Sequence, residues 1–338
     1  MRFSRAAFLG RYTPSRRALS KQIAQLFLLS SLACAIVHGQ TNQELEGEVV
    51  RVRTDLVTVP VSVTDARGQR VAGLSQSDFK IFDAGRAVNI NYFAASVSRV
   101  ALIFAADTSG STHETISRQQ DAALALYTRF GAESRVGLIT FADRPVLVLP
   151  LTDQVGQARA AFNFSSQSNR RTAVFDAALS AVRAFNNNGR SHLAERRIVV
   201  LLSDGLDTAS QTRAAVVVEE ARRNNISFYV VHLPLYTPDQ GRLVIRKPAK
   251  GFRELAAQTG GRYFLLGDMK DALNPRARPD LSPIFEAIAA DLHTQYQIGY
   301  YLDEATRGTG EHRIEVKLIS PVHRKLRVQN LLEGYKLQ

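Results

Sequence analysis

Four short apolar runs constrain this chain more than any other feature: VALIFAA (100–106), VGLITF (136–141), RIVVLLS (197–203) and ISFYVVHL (226–233). None alternates apolar with polar residues, so each asks to be covered on both faces. Stretches of helical spacing separate them, at Glu114 to Phe130, Thr172 to Phe185 and Ser210 to Asn224. Strands buried on both faces and joined by helical crossovers make a parallel sheet with helices on each side. The expectation is a doubly wound, Rossmann-like α/β domain. FRELAAQTGGRYFLL (252–266) adds a helix, a Gly-Gly turn and a strand, and Leu281 to Thr294 closes the domain with a last helix.

The flanks have a different rhythm. In LVTVPVSVTD, Val57, Val59, Val61 and Val63 fall on one face of a strand, and DFKIFDAGRAVNINYF reads as two strands joined by the turn Asp83-Ala84-Gly85-Arg86. Behind the domain, QYQIGYYLD, HRIEVKLI and LRVQNLL are again strand-like. Neither flank has enough strands to bury a core alone. Chain ends entering and leaving one domain often lie close together. The two flanks are therefore expected to pair into one β-sandwich with the α/β domain inserted between its strands.

The first residues read as an address label. Arg2, Arg5, Arg11, Arg16, Arg17 and Lys21 precede the apolar stretch IAQLFLLSSLACAIV (23–37), with no acid before Glu44. That stretch is short of the about 20 apolar residues a membrane span needs, so it reads as a cleaved export signal, with the cut placed near Gly39-Gln40. SRRALSK (15–21) resembles the twin-arginine pattern, with Leu19 where Phe is usual. SLAC offers lipidation at Cys34 as an alternative, with Ser31 where an aliphatic residue is usual. The expected product is periplasmic or secreted, without a transmembrane span. Loss of the six leader cations takes the net charge from +12 to +6. No basic stripe interleaved with aromatics accompanies it, which argues against a nucleic-acid partner. The one cysteine of the 338 residues lies in the leader, so disulfides and thiolate metal sites are excluded from the mature chain.

Ligands of an open parallel sheet bind at the carboxyl ends of its strands. Asp107 ends the first apolar run and Asp204 follows the third, so the two face one crevice. Ser109 and Ser111 follow Asp107, and Thr172 opens a helix that can reach the same place. Two carboxylates and three hydroxyls form a hard-oxygen donor set suited to Mg²⁺. Without a cation the two carboxylates would repel each other at a poorly solvated edge.

Asp-x-Ser-x-Ser, a later Thr at a helix start and Ser-Asp-Gly after an apolar strand together resemble the metal-ion-dependent adhesion site of the von Willebrand factor A (VWA) family. The resemblance spans roughly Ser98 to Thr294, with TAVFDA and LAAQTGGRYF in the style of bacterial members. The flanks, including QYQIGYY and a terminal EGYKL, resemble the acidobacterial VWFA-related family. Thr112 departs from it, standing where many bacterial members have Met. The resemblance implies that Ser109, Ser111 and Thr172 bind Mg²⁺ or Mn²⁺ directly or through water, and that Asp107 and Asp204 act largely through water. It also implies an open coordination position that takes an acidic side chain from a partner protein. The expected boundaries are 1–39 for the export signal, 40–97 for the N-terminal β module, 98–294 for the VWA domain and 295–338 for the C-terminal β segment.

These features point to an exported adhesion-type binding module and not to an enzyme. No Gly-x-Ser-x-Gly elbow, Walker loop or Gly-x-Gly-x-x-Gly occurs in the sequence. A Mg²⁺-dependent phosphoryl or ester hydrolase is the rival reading, but a second Asp two residues after the nucleophile is usual there, and this chain has Ser109. A scaffold in which the cation only stiffens the domain is the third. Asp207 reads as a helix cap or a turn residue, Asp176 as an acid favoured by a helix dipole and Asp143 as a turn residue. Arg170 and Arg171 either flank the metal, favouring an anionic partner, or sit in a solvated loop. His113, His192 and His232 are scattered singly.

Overall fold

The computed structural model describes residues 56–96, 99–110, 134–165, 171–185, 195–267, 280–302, 311–320, 325–330 and 334–336. The expected export signal, the helix expected over 114–130, Ser111, Arg170, His113 and His192 lie outside these residues.

The central sheet takes its strands from the apolar runs: β5 (Val100–Asp107), β6 (Arg135–Phe141), β8 (Arg196–Ser203) and β9 (Ile226–His232). Short β12 (Tyr263–Leu265) adds to β9, and β7 (Pro145–Thr152) adds to β6, giving the order β12-β9-β8-β5-β6-β7. All pairs are parallel except the edge pair β6–β7, which is antiparallel, so the sheet is the mostly parallel one expected of a doubly wound domain. β7 is an edge strand, and Pro145 and Pro150 are tolerated there because one side of it makes no ladder.

Burial on both faces follows from the unbroken apolar runs. Leu102 and Phe104 of β5 enter one core with Phe285, Ile288 and Leu292. Ala101, Ile103 and Ala105 enter the other with Val174, Ala178 and Val182. The helices covering these faces are α1 (Val155–Ala161), α2 (Val174–Ala184), α3 (Ala214–Arg223), α4 (Phe252–Thr259) and α5 (Ser282–His293). None of the helices among the described residues is long and apolar enough to cross a membrane.

The flanks meet as a two-layer sandwich. One sheet has the order β15-β1-β13-β4, built from β1 (Leu56–Thr64), β4 (Tyr92–Ala94), β13 (Tyr296–Tyr301) and β15 (Arg327–Asn330). The other has the order β16-β14-β2-β3, from β2 (Phe79–Asp83), β3 (Arg86–Val88), β14 (Glu311–Leu318) and β16 (Gly334–Lys336). Each sheet thus mixes strands from before and after the inserted domain. In register, Val59 faces Ile298 and Val61 faces Tyr296 across β1–β13, while Ile81 faces Val316 across β2–β14. Val59, Val61 and Val63 bury their alternating face against Phe79, Ile81, Tyr296, Ile298 and Tyr300. The expected turn joins β2 to β3, with Ala84 and Gly85 both at positive φ, the pattern of a two-residue hairpin. The segment read as two strands contains a third, β4, which leaves its hairpin partners and joins the opposite sheet.

Polar groups tie the sandwich to the amino-terminal edge of the α/β sheet. Asp291 on α5 is fully buried and accepts from Arg70 Nε (2.8 Å), Tyr229 OH (2.7 Å) and Gln295 Nε2 (3.1 Å). Arg196, the first residue of β8, is buried and donates to Gln295 Oε1 (3.0 Å), Asn225 O (3.0 Å) and Ser227 Oγ (2.5 Å). Burial lowers its pKa to about 10, so it stays charged at neutral pH. Asn225 Nδ2 donates to Thr58 O on β1. The carboxyl-terminal edge of the sheet is left on the other side.

Candidate metal site at the carboxyl edge

The chain leaves β5 for β6 on one side and later returns to β8 on the other. The strand order therefore reverses between β5 and β8, the crevice where open α/β sheets bind ligands. Asp107 is the last residue of β5, and Asp204 directly follows β8.

Three loops meet there. After β5, Ser109 N donates to Asp107 Oδ1 (2.9 Å), a local turn that holds Ser109 back over the strand end. After β8, Leu206 N donates to Asp204 Oδ1 (2.9 Å). The loop before α2 lies across both neighbours: Ala173 N donates to Ala142 O (2.7 Å) behind β6, and Thr208 N and Ala209 N donate to Thr172 O (2.8 and 3.0 Å). Asp107, Ser109, Thr172 and Asp204 are all buried. Four of the five residues expected from the sequence are thus brought to one edge, and the fifth, Ser111, lies outside the described residues.

Burial raises the Asp107 carboxyl to about 6; the hydroxyls of Ser203 and Ser109 pull it down, and the charge of Asp204 pushes it up again. That last effect means the two acids sense each other. Among the described residues no group of three His, Cys, Asp or Glu side chains is placed to hold a metal. A cation here would draw on hydroxyl oxygens and water beside the two acids. Two carboxylates with the Ser109 and Thr172 hydroxyls match the charge and hardness of a small divalent cation.

The supporting residues were only partly legible. Asp207 does cap a helix, but across loops: its Oδ1 accepts from Val174 N at the start of α2 (3.1 Å). Asp176 accepts from Gln211 N (3.0 Å) and Thr212 N (2.9 Å). Burial opposes its charge, yet these bonds hold its pKa below the ordinary carboxylate value. Asp143 lies in the bend after β6, half-buried, and Arg171 is exposed. Ser203, the first residue of the Ser-Asp-Gly motif but given no role of its own from the sequence, donates to Asp107 Oδ2 (2.6 Å). Its signal was its place one residue before Asp204 on a strand that pairs with β5. Thr208 and Ser210, also overlooked, accept from Thr172 N and Phe175 N (both 3.0 Å). His232 is buried, and burial lowers its pKa; it bonds to the Tyr263 hydroxyl and to Asp204 O (2.9 Å). It is a satisfied core histidine that steadies the Asp204 loop.

Parts of this chain are similar to known proteins. Residues 102–206 match the family model of the von Willebrand factor type A domain. No curated protein matches the chain significantly. Among solved structures, BatB from Bacteroides thetaiotaomicron is 19% identical with a TM-score of 0.43, over 57% of this chain and 97% of that one. A von Willebrand factor type A structure from Catenulispora acidiphila is 12% identical with a TM-score of 0.45, over 84% and 74%. Proximal thread matrix protein 1 from the mussel byssus, with zinc in its metal-ion-dependent adhesion site, is 14% identical with a TM-score of 0.47, over 63% and 50%. The family match begins in β5 and ends just past Asp204, so it encloses the edge described above: this chain carries a von Willebrand factor type A domain.

Proposed function

We propose that the chain is an exported binding module that holds a divalent cation, Mg²⁺ or Mn²⁺, at the carboxyl edge of its α/β sheet and uses it to recognise a protein ligand. The observation that carries this reading is the position of Asp107 and Asp204 on either side of the strand-order reversal, with Ser109 and Thr172 beside them. Ser111 is proposed as the fifth member from its spacing. The cation would leave one coordination position for an acidic side chain of the partner, so that the metal bridges two molecules. The basic, apolar leader supports export, and the sandwich would serve as the base that keeps the metal edge outward. Turnover chemistry is not part of this proposal.

The test is capture of partners from a cell-envelope extract on the immobilised mature chain, with Mg²⁺ and with EDTA. A partner retained only with Mg²⁺ supports the proposal. Metal-dependent melting with no partner released by EDTA would show a cation that merely stiffens the domain.

A further inference from the structure

The connection from β9 to α4 is longer than the few residues usual for such links, and its middle is a free-standing hairpin. Among the described residues, strand β10 (Tyr236–Asp239) pairs only with β11 (Arg242–Ile245), and no residue from Tyr236 to Ile245 belongs to any of the three apolar cores. Gln240 and Gly241 at the tip both have positive φ, the two-residue turn that suits the twist of a hairpin. A feature that contributes nothing to the cores and is yet well formed calls for another role.

Both legs of the hairpin are fastened to the loop that carries Asp204. On the outgoing side Leu233 N donates to Ser203 O (2.8 Å), and on the return Ala249 N donates to Gly205 O (2.8 Å). Gly205 has φ +78°, and a Cβ there would lie 2.7 Å from Pro248 Cβ. The segments that lead into and out of the hairpin are therefore anchored at the Asp204 loop.

Its chemistry is one-sided. Arg242, Arg246, Lys247 and Lys250 are exposed, against the single acid Asp239, which stands opposite Arg242. Among the described residues none of these four cations forms an ion pair. Residues of β11 alternate, with Arg242 and Val244 exposed and Leu243 and Ile245 half-buried. Among the described residues nothing pairs with the outer edge of β11, which leaves backbone groups there open to another strand. An edge of that kind recognises another polypeptide by strand addition, which nucleic acid and lipid cannot supply. Exposed cations beside it select for acids and speed encounter with them.

We infer that the β10–β11 hairpin is a second contact element of the same binding face, and that it takes an extended acidic segment of the protein whose carboxylate reaches the cation. The inference rests on the proposed function for the second half of that statement only; the affinity of the hairpin for an acidic segment stands by itself.

The experiment uses the full mature chain and a labelled, Asp/Glu-rich synthetic peptide as probe, titrated by fluorescence anisotropy at low salt with Mg²⁺ or EDTA. The R242E/R246E/K247E variant should bind the peptide roughly tenfold more weakly, as expected for three exposed ion pairs. Its Mg²⁺ binding, measured by calorimetry, should be retained, because none of the three is at the donor set and the added negative charge can only favour the cation. Peptide affinity should fall steeply with added salt. Equal peptide binding by the variant, or no binding by either protein, overturns the inference. So does displacement of the peptide by an oligonucleotide or by phosphatidylglycerol vesicles that bind the hairpin more tightly. A wild-type chain that binds no Mg²⁺, yet binds the peptide through the hairpin, would sink the metal reading and leave this one standing.

Discussion

Replacing Asp291 with alanine removes the keystone between the sandwich and the α/β domain. Its carboxylate is fully buried and receives two nitrogens of Arg70, Nε at 2.8 Å and Nη2 at 3.2 Å, together with Tyr229 OH and Gln295 Nε2. Arg70 itself is only 16% exposed in its side chain, so the guanidinium left behind cannot rehydrate freely. Breaking a buried pair by deleting one partner costs about 3–5 kcal/mol, most of it the penalty of the stranded charge. Tyr229 OH, whose pKa burial has already raised, would lose its acceptor as well. The assay is chemical denaturation of Asp291→Ala, Arg70→Ala and the double variant. The double variant should lose much less than the sum of the single losses, because neither charge is then stranded. Mg²⁺ titration of Asp291→Ala should be normal, since Asp291 is bonded to Arg70 and Gln295 at the far edge of the sheet. A loss below about 1 kcal/mol for Asp291→Ala would refute the reasoning, because a buried and fully used carboxylate cannot be that cheap to delete.

Three further outcomes follow from the same geometry. Ending the chain after Gln295 removes β13 and β15 from both sides of β1 and β14 from β2; hydrogen exchange should show the amides of Val57 to Val63 unprotected while those of β5 and β8 stay protected. Asp176→Ala should cost about 1 kcal/mol by loss of its bonds to Gln211 and Thr212. Because its folded pKa lies below the unfolded value, that contribution is present above about pH 4 and fades as pH falls through the folded value, so wild type and variant should converge in acid denaturation. Gly205→Ala places a Cβ at φ +78° and 2.7 Å from Pro248; a loss of about 1–2 kcal/mol in thermal or urea melts is expected from the backbone conformation alone.

Most of the α/β domain was legible because its strands are buried on both faces and leave unbroken apolar runs, and because α2 to α5 keep helical spacing. The alternating valines of β1 likewise announced a strand with one core face. Three things were not legible. Strand β7 exposes Val146, Leu147 and Val148 at an edge, so its sequence shows neither alternation nor full burial. The hairpin of β10 and β11 is too short and too polar to carry a period. Arg70 and Asp291 are 221 positions apart, and nothing local to either residue announces the other. At the candidate site the acids and hydroxyls stood out as a spaced pattern, whereas Ser203, Thr208 and Ser210 support the loops through contacts that only the folded chain creates.

The measurement that bears most directly on the central claim is calorimetric titration of Mg²⁺ into the mature chain and into Asp107→Ala and Asp204→Ala. These two acids flank the crevice and supply the negative charge that a divalent ion requires. Wild type should bind one ion, and each variant should lose that binding while circular dichroism shows the fold retained. Ser109→Ala should weaken binding less, since water can replace a neutral ligand more readily than a charge. Normal Mg²⁺ affinity in either aspartate variant, or no heat of binding in the wild type, would contradict the assignment of this edge as a cation site.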